Sequence, residues 1–224
     1  AQTWNSLAIL SEIAGKPEVA EMWYRKAIEG FKAVGDKESP AKCLNNLADL
    51  LRDLPGRLAE ARQLAEEALV IDKTLDPGAA EIWKTYNILA QIAEKEAETT
   101  SDGPLKAGLE TQAREYRRLA RDAKFSFAGT RHELRKHAPL ILATILATQQ
   151  QNQRDKLEQL LPQLEQRGWT NLVAAIRGLL ADERNSEVLC EGLDLEDSMI
   201  IETILHALDD PSTLKDLLPD EKQE

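Results

Sequence analysis

The sequence is poor in the residues that would indicate a disulfide-bonded, membrane-spanning or strand-rich protein. Its two cysteines, Cys43 and Cys190, are far apart and lack a Cys-x-x-Cys partner, so we expect a reducing, cytoplasmic setting. The longest apolar run, residues 138–147, is about half of what a bilayer-spanning helix needs. Aromatic residues make up only 4% and alternating Val-rich segments are missing, whereas helix-forming residues abound. The sequence therefore predicts an all-α protein with no membrane contact.

Motifs of catalysis and metal binding are also missing. The chain has no Gly-x-Ser-x-Gly, P-loop or Gly-x-Gly-x-x-Gly string. His132 and His137 resemble a zinc motif, but they are five residues apart rather than four and would diverge around a helix. We expect no enzyme activity, no cofactor and no metal; an enzyme would instead require a pocket with a perturbed carboxylate or histidine.

The formal charge of −11 comes from one end of the chain. Residues 1–181 contain 25 basic and 25 acidic side chains, and residues 182–224 contain 14 acids against three basic residues. A uniformly basic surface is absent, which argues against nucleic acid as a partner.

A short pattern occurs three times at nearly constant spacing. Its copies are Trp4-Asn5-Ser6-Leu7-Ala8, Leu44-Asn45-Asn46-Leu47-Ala48 and Tyr86-Asn87-Ile88-Leu89-Ala90, so the central leucines are 40 and then 42 residues apart. Such a period is typical of stacked repeats.

Each copy lies in the first helix of a predicted hairpin. Turn signals separate the two helices of each pair, for example Gly15-Lys16-Pro17 and Leu54-Pro55-Gly56. We expect Ser39 to be the N-cap of the second pair, with proline after it. The predicted first helices span about 3–14, 39–53 and 79–97, and the second helix of the first pair spans about 18–34. The second helix of the second pair carries an apolar stripe from Ala61 to Ile71. That of the third pair follows a longer polar loop over 99–104 and carries its stripe from Ala113 to Phe127.

The first helix of a pair has a large residue, then leucine, then a small residue, and the second helix has alanine, an aromatic residue and alanine. This pattern resembles that of the tetratricopeptide repeat family. Trp4, Leu7 and Ala8, then Ala20, Tyr24 and Ala27 carry the resemblance in the first pair. The usual period of the family is about 34 residues, and the longer spacing here resembles the repeats of kinesin light chains. The resemblance covers residues 1 to about 127 and implies a superhelix of hairpins that holds a protein or an extended peptide.

The same resemblance implies which side chains line the inner wall of that superhelix. Asparagine amides could hold a peptide backbone, and the lysines could select an acidic partner. Alternatively, the asparagines bridge neighbouring helices. The implied positions are Asn5, Ile9, Glu12, Lys42, Asn45, Asp49, Arg52, Lys84, Asn87, Gln91 and Glu94.

A basic stripe follows on the last helix of the third pair. Arg114, Arg117, Arg118, Arg121 and Lys124 lie opposite its apolar face. Such a stripe is typical of the solvent side of an amphipathic helix; the alternative is a patch that binds an acidic surface.

The remaining chain is predicted to be helical without a clear repeat. Thr130 to Glu133 form a capping-box pattern for a helix reaching Ala147, residues 149–153 break it, and further helices follow at about 154–167 and 170–182. Asp194 and Asp210 are expected to cap the last two. We expect residues 130–218 to be a degenerate repeat or cap, and residues 219–224 a disordered acidic tail.

The sequence as a whole predicts a non-catalytic protein- or peptide-binding scaffold. Because it does not begin with Met, we expect it to be part of a larger regulatory or assembly protein. The alternative is an autoregulatory arm, in which the acidic C-terminal helices occupy the groove until a partner displaces them. The oligomeric state is left open.

Overall fold

The computed structural model describes residues 1–76, 80–127 and 129–217, with the side chains of Arg131 and Asp216 excepted. Within these ranges every regular element is helical, which confirms the all-α class. The predicted acidic tail at 219–224 and the predicted helix start at Ala79 lie outside them. The α-helices are α1 (Gln2–Ile13), α2 (Pro17–Ala33), α3 (Ser39–Arg52), α4 (Leu58–Asp72), α5 (Ile82–Thr99), α6 (Gly103–Ser126), α7 (Thr130–Leu134), α8 (Ala138–Gln149), α9 (Gln151–Gln166), α10 (Thr170–Leu180), α11 (Ser186–Leu189) and α12 (Leu195–Asp209).

The chain forms two compact units, Ala1–Phe127 and Ala128–Glu224. The first unit contains three helical hairpins, α1–α2, α3–α4 and α5–α6, and the second helix of one hairpin packs on the first helix of the next. Side-chain bonds join α1 to α3 and α3 to α5, whereas ion pairs join α2 to α4. The first and second helices of the hairpins therefore lie in two separate layers.

Small residues allow the helices of this unit to approach one another closely. Ala8, Ala48 and Ala90, which end the three copies of the repeated pattern, are fully buried, as expected. The second helices contribute further buried alanines, among them Ala20 and Ala61. Around them pack the larger side chains of the core, including Tyr24, Leu44, Leu47, Leu51, Leu89 and Ile92.

Two local expectations in this unit were wrong. Ser39 is the first residue of α3 rather than its N-cap, and Asp36 accepts hydrogen bonds from the backbone N–H groups of Glu38 and Ser39 at 3.0 and 2.9 Å. The long loop predicted at 99–104 is also shorter, because α5 continues to Thr99 and Asp102 caps α6 through the N–H of Leu105.

The second unit begins with a broken helix. Thr130 opens α7 instead of capping it, since Gly129 is the N-cap, and α7 gives way to a 3-10 turn at Arg135–His137 before α8. The single helix expected to reach Ala147 is therefore divided at the point where Pro139 enters, because proline has no N–H to continue the ladder.

The helix caps in the rest of this unit agree better with those expected from the sequence. Asp194 caps α12 by accepting from Asp197 N–H at 2.8 Å, and Asp210 caps a 3-10 helix at Pro211–Asp216, as expected. The break predicted over 149–153 is confined to Gln150, and the short helix α11, capped by Asn185, was not predicted.

Candidate interaction surface on the first helices of the hairpins

The repeated asparagines bond from one hairpin to the next. The side-chain oxygen of Asn5 on α1 accepts a bond from the Cys43 thiol on α3 at 3.3 Å, and Asn45 Nδ2 on α3 donates to Thr85 Oγ1 on α5 at 2.6 Å. Thr85 lies 42 residues after Cys43, as Asn87 does after Asn45, so the two bonds occupy equivalent positions. The asparagine of the repeated pattern therefore forms a hydrogen bond to the next hairpin in both cases.

Asn45 belongs to a buried polar chain. It is only 7% exposed, and its partner Thr85 donates onward to Asp72 Oδ2 on α4 at 2.5 Å. Burial raises the pKa of the Asp72 carboxyl above its ordinary value, against the hydrogen bond from Thr85. The expectation that Asn45 faces a ligand is corrected by this placement, because its amide is enclosed between α3, α4 and α5 and bridges two hairpins.

Arg52 forms a second connection between α3 and α5. Its guanidinium donates to the Gln91 side-chain oxygen, pairs with Asp49 at 2.5 Å and also contacts Asp53. Asp53 in turn pairs with Lys95 on α5. Three of the expected inner-wall residues, Asp49, Arg52 and Gln91, are thus brought together, with the guanidinium held by groups of the protein itself.

The two lysines expected to select an acidic partner have carboxylates close by. Lys42 Nζ lies 2.6 Å from Glu38, and Lys84 Nζ lies 2.6 Å from Glu81. The hydrogen bond to Glu38 raises the pKa of Lys42 above its ordinary value. Both ammonium groups remain exposed, but their charge is balanced within one helical turn, which weakens the case for a basic groove.

An open pocket of about 500 Å³ lies between α1 and α3. Three of its lining residues, Ile9, Glu12 and Asp49, are positions that the resemblance implied. Two lining residues were not expected from the sequence. Tyr24 was assigned to the buried stripe of α2, and Asn45 was expected at the surface in place of its neighbour Asn46. The full lining is Ile9, Glu12, Ile13, Tyr24, Asn46 and Asp49.

The pocket combines apolar walls with carboxylates. Tyr24 is almost fully buried and its hydroxyl donates to Glu12 Oε2 at 2.8 Å. Burial first, and then this bond to Glu12, raises the pKa of the Tyr24 hydroxyl above its ordinary value, so it stays a neutral donor. In the described ranges Glu12 forms no ion pair, whereas Asp49 has Arg52. The charge inside the pocket is therefore negative.

The remaining predicted positions do not join this pocket. Asn87 is half-buried on α5, and Glu94 pairs with Arg117 of α6 at 2.5 Å. Asn5 is half-buried and occupied with Cys43. The expected row of three equivalent amides along one groove is therefore replaced by one pocket and two bridging amides.

The basic side chains of α6 are also not arranged as a patch for an acidic partner would require. Arg121 and Lys124 are buried, and Lys124 Nζ lies 4.1 Å from the ring centre of Trp83. Arg118 pairs with Glu115 and Asp122 on its own helix, and Arg114 donates to Thr111. Arg117 pairs with Glu94 of α5. Two of the five cations are thus buried and the other three are bonded to nearby side chains, which weakens the case for a patch that binds an acidic surface.

Among the residues that the structure describes, no group of three or more histidine, cysteine or carboxylate side chains is placed to hold a metal ion. Among the same residues, no helix combines the length and the apolar character needed to cross a bilayer. Cys43 and Cys190 are both buried thiols that are not joined in a disulfide.

Comparison with protein families gives a match over the first two hairpins. Residues 1–74 match the family model of the tetratricopeptide repeat. This match covers α1 to α4, and α5–α6 continues the same packing of a second helix on the next first helix. Comparison with the curated proteins and with solved structures gave no match. Tetratricopeptide repeats are a non-enzymatic scaffold class that commonly serves protein–protein contacts.

Proposed function

We propose that the first unit is a non-catalytic, cytoplasmic scaffold that binds an extended segment of another protein across α1 and α3. The observation that carries this proposal is the pocket between these helices, because it offers exposed apolar walls, an amide and two carboxylates in one concave site. Its location on the first helices agrees with the match of residues 1–74 to the tetratricopeptide repeat.

The charge of the pocket favours a basic side chain in the bound segment. A lysine or arginine could lay its aliphatic stem on Ile9 and Ile13 and place its charged end between Glu12 and Asn46. This preference differs from the acidic partner expected from sequence, and the reason is that Lys42 and Lys84 already pair with Glu38 and Glu81.

The autoregulatory alternative is less well supported by the same charges. An acidic segment such as residues 182–224 would bring further carboxylates towards Glu12 and Asp49. Like charges at close range are repulsive, so such a segment is a poor ligand for this pocket.

A displayed library of random peptides tests the proposal. Peptides selected on the wild-type chain should carry lysine or arginine beside a large apolar residue. Their affinity for Asp49→Lys should fall about tenfold or more, which corresponds to at least ~1.4 kcal/mol. The matched control is Asp122→Lys, which reverses an exposed carboxylate on α6 and should bind as the wild type does. Selection without enrichment, or equal binding to both variants, would refute the proposal.

A further inference from the structure

Glu12 of α1 and Arg52 of α3 occupy equivalent positions of the repeat. Leu7 and Leu47 are equivalent leucines 40 residues apart, and the same step leads from Glu12 to Arg52. Glu12 lines the pocket between α1 and α3, and Arg52 bonds from α3 to α5. Successive intervals between first helices therefore carry side chains of opposite charge at one position.

Arg52 shows what occupies the interval between α3 and α5. Its guanidinium donates to the Gln91 side-chain oxygen on α5, lies 2.5 Å from Asp49 Oδ1 and donates to Asp53 Oδ2 at 3.0 Å. Only 15% of the Arg52 side chain is exposed. An arginine side chain can therefore be enclosed between two first helices of this unit, with an amide oxygen and carboxylates as its acceptors.

The interval between α1 and α3 offers similar acceptors around an open pocket. Asp49 is 42 residues before Gln91 and lines this pocket from α3, as Gln91 meets Arg52 from α5. Glu12 stands where the next interval has its arginine, and the described lining contains no lysine or arginine. The place that a guanidinium occupies between α3 and α5 is thus open between α1 and α3.

Tyr24 holds Glu12 in the orientation that such a group would need. Its hydroxyl donates to Glu12 Oε2 at 2.8 Å, and its side chain is only 1% exposed. The equivalent residue of α4, 41 residues later, is the fully buried Ala65, which has no hydroxyl. Because an ionised carboxylate has about four acceptor positions, Glu12 can accept further hydrogen bonds from a ligand while it accepts that of Tyr24.

The distribution of the acceptors favours arginine over lysine. The carboxylate of Glu12 lies on α1, whereas the carboxylate of Asp49 and the amide oxygen of Asn46 lie on α3. A guanidinium presents five N–H donors in a planar fork and can bond to both helices at once. A lysine ammonium is a compact and strongly hydrated charge, which gains less from acceptors on two sides.

We propose that the pocket between α1 and α3 selects an arginine side chain of the bound segment over lysine, with Glu12 as its main partner and Tyr24 as a positioning residue. The guanidinium of the ligand would occupy the place that Arg52 takes in the next interval. This inference rests on the proposed function and deepens it, because it specifies which basic side chain the pocket accepts.

An NMR titration with three capped amino acids tests the selection. The probes are N-acetyl-arginine amide, N-acetyl-lysine amide and the neutral N-acetyl-citrulline amide, up to roughly 50 mM, since ligands of this size should bind with a Kd on the order of 1 mM. The arginine probe should shift the side-chain amide signal of Asn46 with a Kd about fivefold below that of the lysine probe, and the citrulline probe should not saturate. Equal Kd values for arginine and lysine, or no shift of Asn46 by arginine, would overturn the inference.

Two variants of the pocket test the assigned roles. Glu12→Gln should raise the Kd of the arginine probe about fivefold, whereas the matched control Glu115→Gln, at an exposed carboxylate of α6, should leave it unchanged. Tyr24→Phe should bring the Kd values of the arginine and lysine probes closer together, because Glu12 can then turn away. A purely structural role of Tyr24 would weaken both probes alike, and arginine binding unaffected by Glu12→Gln would contradict the role of Glu12.

The variant Glu12→Arg gives an independent check. It places at this position of α1 the residue type that α3 carries at the equivalent position, so the new side chain should pair with Asp49 and occupy the pocket. The arginine probe should then no longer shift the Asn46 signal, while the melting temperature should not fall. Binding of the arginine probe that persists in Glu12→Arg would overturn the inference.

Failure of this inference and failure of the proposed function are distinguishable. A peptide library without enrichment refutes the binding of an extended segment, yet the capped amino acids still report whether the pocket prefers a guanidinium. Conversely, selected peptides that bind equally well with arginine or lysine at their basic position would keep the proposed function and refute the selection of arginine.

Discussion

The roles of individual residues in this protein depend on which neighbour their helix turns towards. Asn45 and Asn46 are adjacent, yet Asn45 is buried against Thr85 and Asn46 lines the open pocket. One residue corresponds to a rotation of about 100° around an α-helix, which is enough to move a side chain from an interface between hairpins to the surface. The sequence indicated polar side chains at this point without indicating which of them reaches solvent.

Because the amide of Asn45 is buried, replacing this residue should lower the stability of the protein. Asn45→Ala should lower the free energy of unfolding by about 1 to 3 kcal/mol, because Thr85 and Asp72 lose part of their buried hydrogen-bond chain. Asn87→Ala, at the equivalent and only half-buried position, is the control and should change it by less than about 0.5 kcal/mol. Urea unfolding of both variants measures the difference. Equal effects of the two substitutions would show that Asn45 does not bridge the hairpins.

A titrating carboxyl on α12 gives a second prediction at this scale. Burial first, and then the nearby Asp194 and Glu196, raise the pKa of Asp197 from 3.8 to about 6. The stability that the protonated form contributes is complete below pH 3.8 and is lost as the pH rises through about 6. Asp197→Asn should therefore be more stable than the wild type at neutral pH by about 1 to 2 kcal/mol, and the difference should vanish towards pH 4.

Thermal melts at a series of pH values measure this effect. Asp155→Asn, which neutralises an exposed carboxylate on α9, is the matched control and should give a difference that depends little on pH. A stability difference for Asp197→Asn that stays constant over the whole series would contradict the raised pKa.

At the scale of the element, helix existence was easier to predict than helix beginnings. The apolar period and the small residues of the repeated pattern predicted α1 to α6. Each of these helices buries one face, and that pattern is the same whichever residue caps the helix. The cap itself depends on the path of the preceding turn. Glu38 is the N-cap of α3, and the role of Asp36 in the turn before it follows only from the bonds that its carboxylate accepts from the N–H groups of Glu38 and Ser39.

The role of Asp36 at the start of α3 can be tested by comparing two alanine substitutions. Asp36→Ala should cost about 1 kcal/mol of stability, because it removes the acceptor for the N–H groups of Glu38, the N-cap, and of Ser39, the first helical residue. Ser39→Ala should cost less, since it removes only the hydroxyl that donates to Asp36 at 2.8 Å. Backbone and hydroxyl bonds from Ser39 lower the pKa of Asp36, so its contribution should be present at neutral pH and be lost as the pH falls through the acid range. Chemical denaturation at two pH values measures both effects, and a larger cost for Ser39→Ala would restore the sequence-based assignment.

At the scale of the whole molecule, the repeat predicted the first unit well and the second unit poorly. Three copies of one pattern specify three hairpins because each copy buries the same face on its neighbour. Beyond Phe127 no pattern recurs, and the breaks in the second unit depend on single residues such as Pro139 and Gln150. The sequence assigned the expected partner-binding positions to the first helices, where the pocket between α1 and α3 also lies, and their contact with a partner stays a prediction. The charge of that surface depends on ion pairs such as Lys42 with Glu38, which spacing alone does not reveal.

The organisation of the first unit predicts that residues 1–127 fold without the rest of the chain. The core of α1 to α4 and part of α5 is one continuous cluster, and α6 contributes Tyr116 to it. The bridging bonds that hold this cluster, Asn45 to Thr85 and Arg62 to Glu96, have both partners within the unit. We expect a fragment of residues 1–127 to be helical by circular dichroism and to unfold in one cooperative transition. Asn45→Ala should shift this transition by the same free energy in the fragment and in the full chain, within about 0.5 kcal/mol, because its partners Thr85 and Asp72 both lie within residues 1–127. A fragment that lacks a cooperative transition, or in which Asn45→Ala has no effect, would show that the first unit depends on the second for its packing.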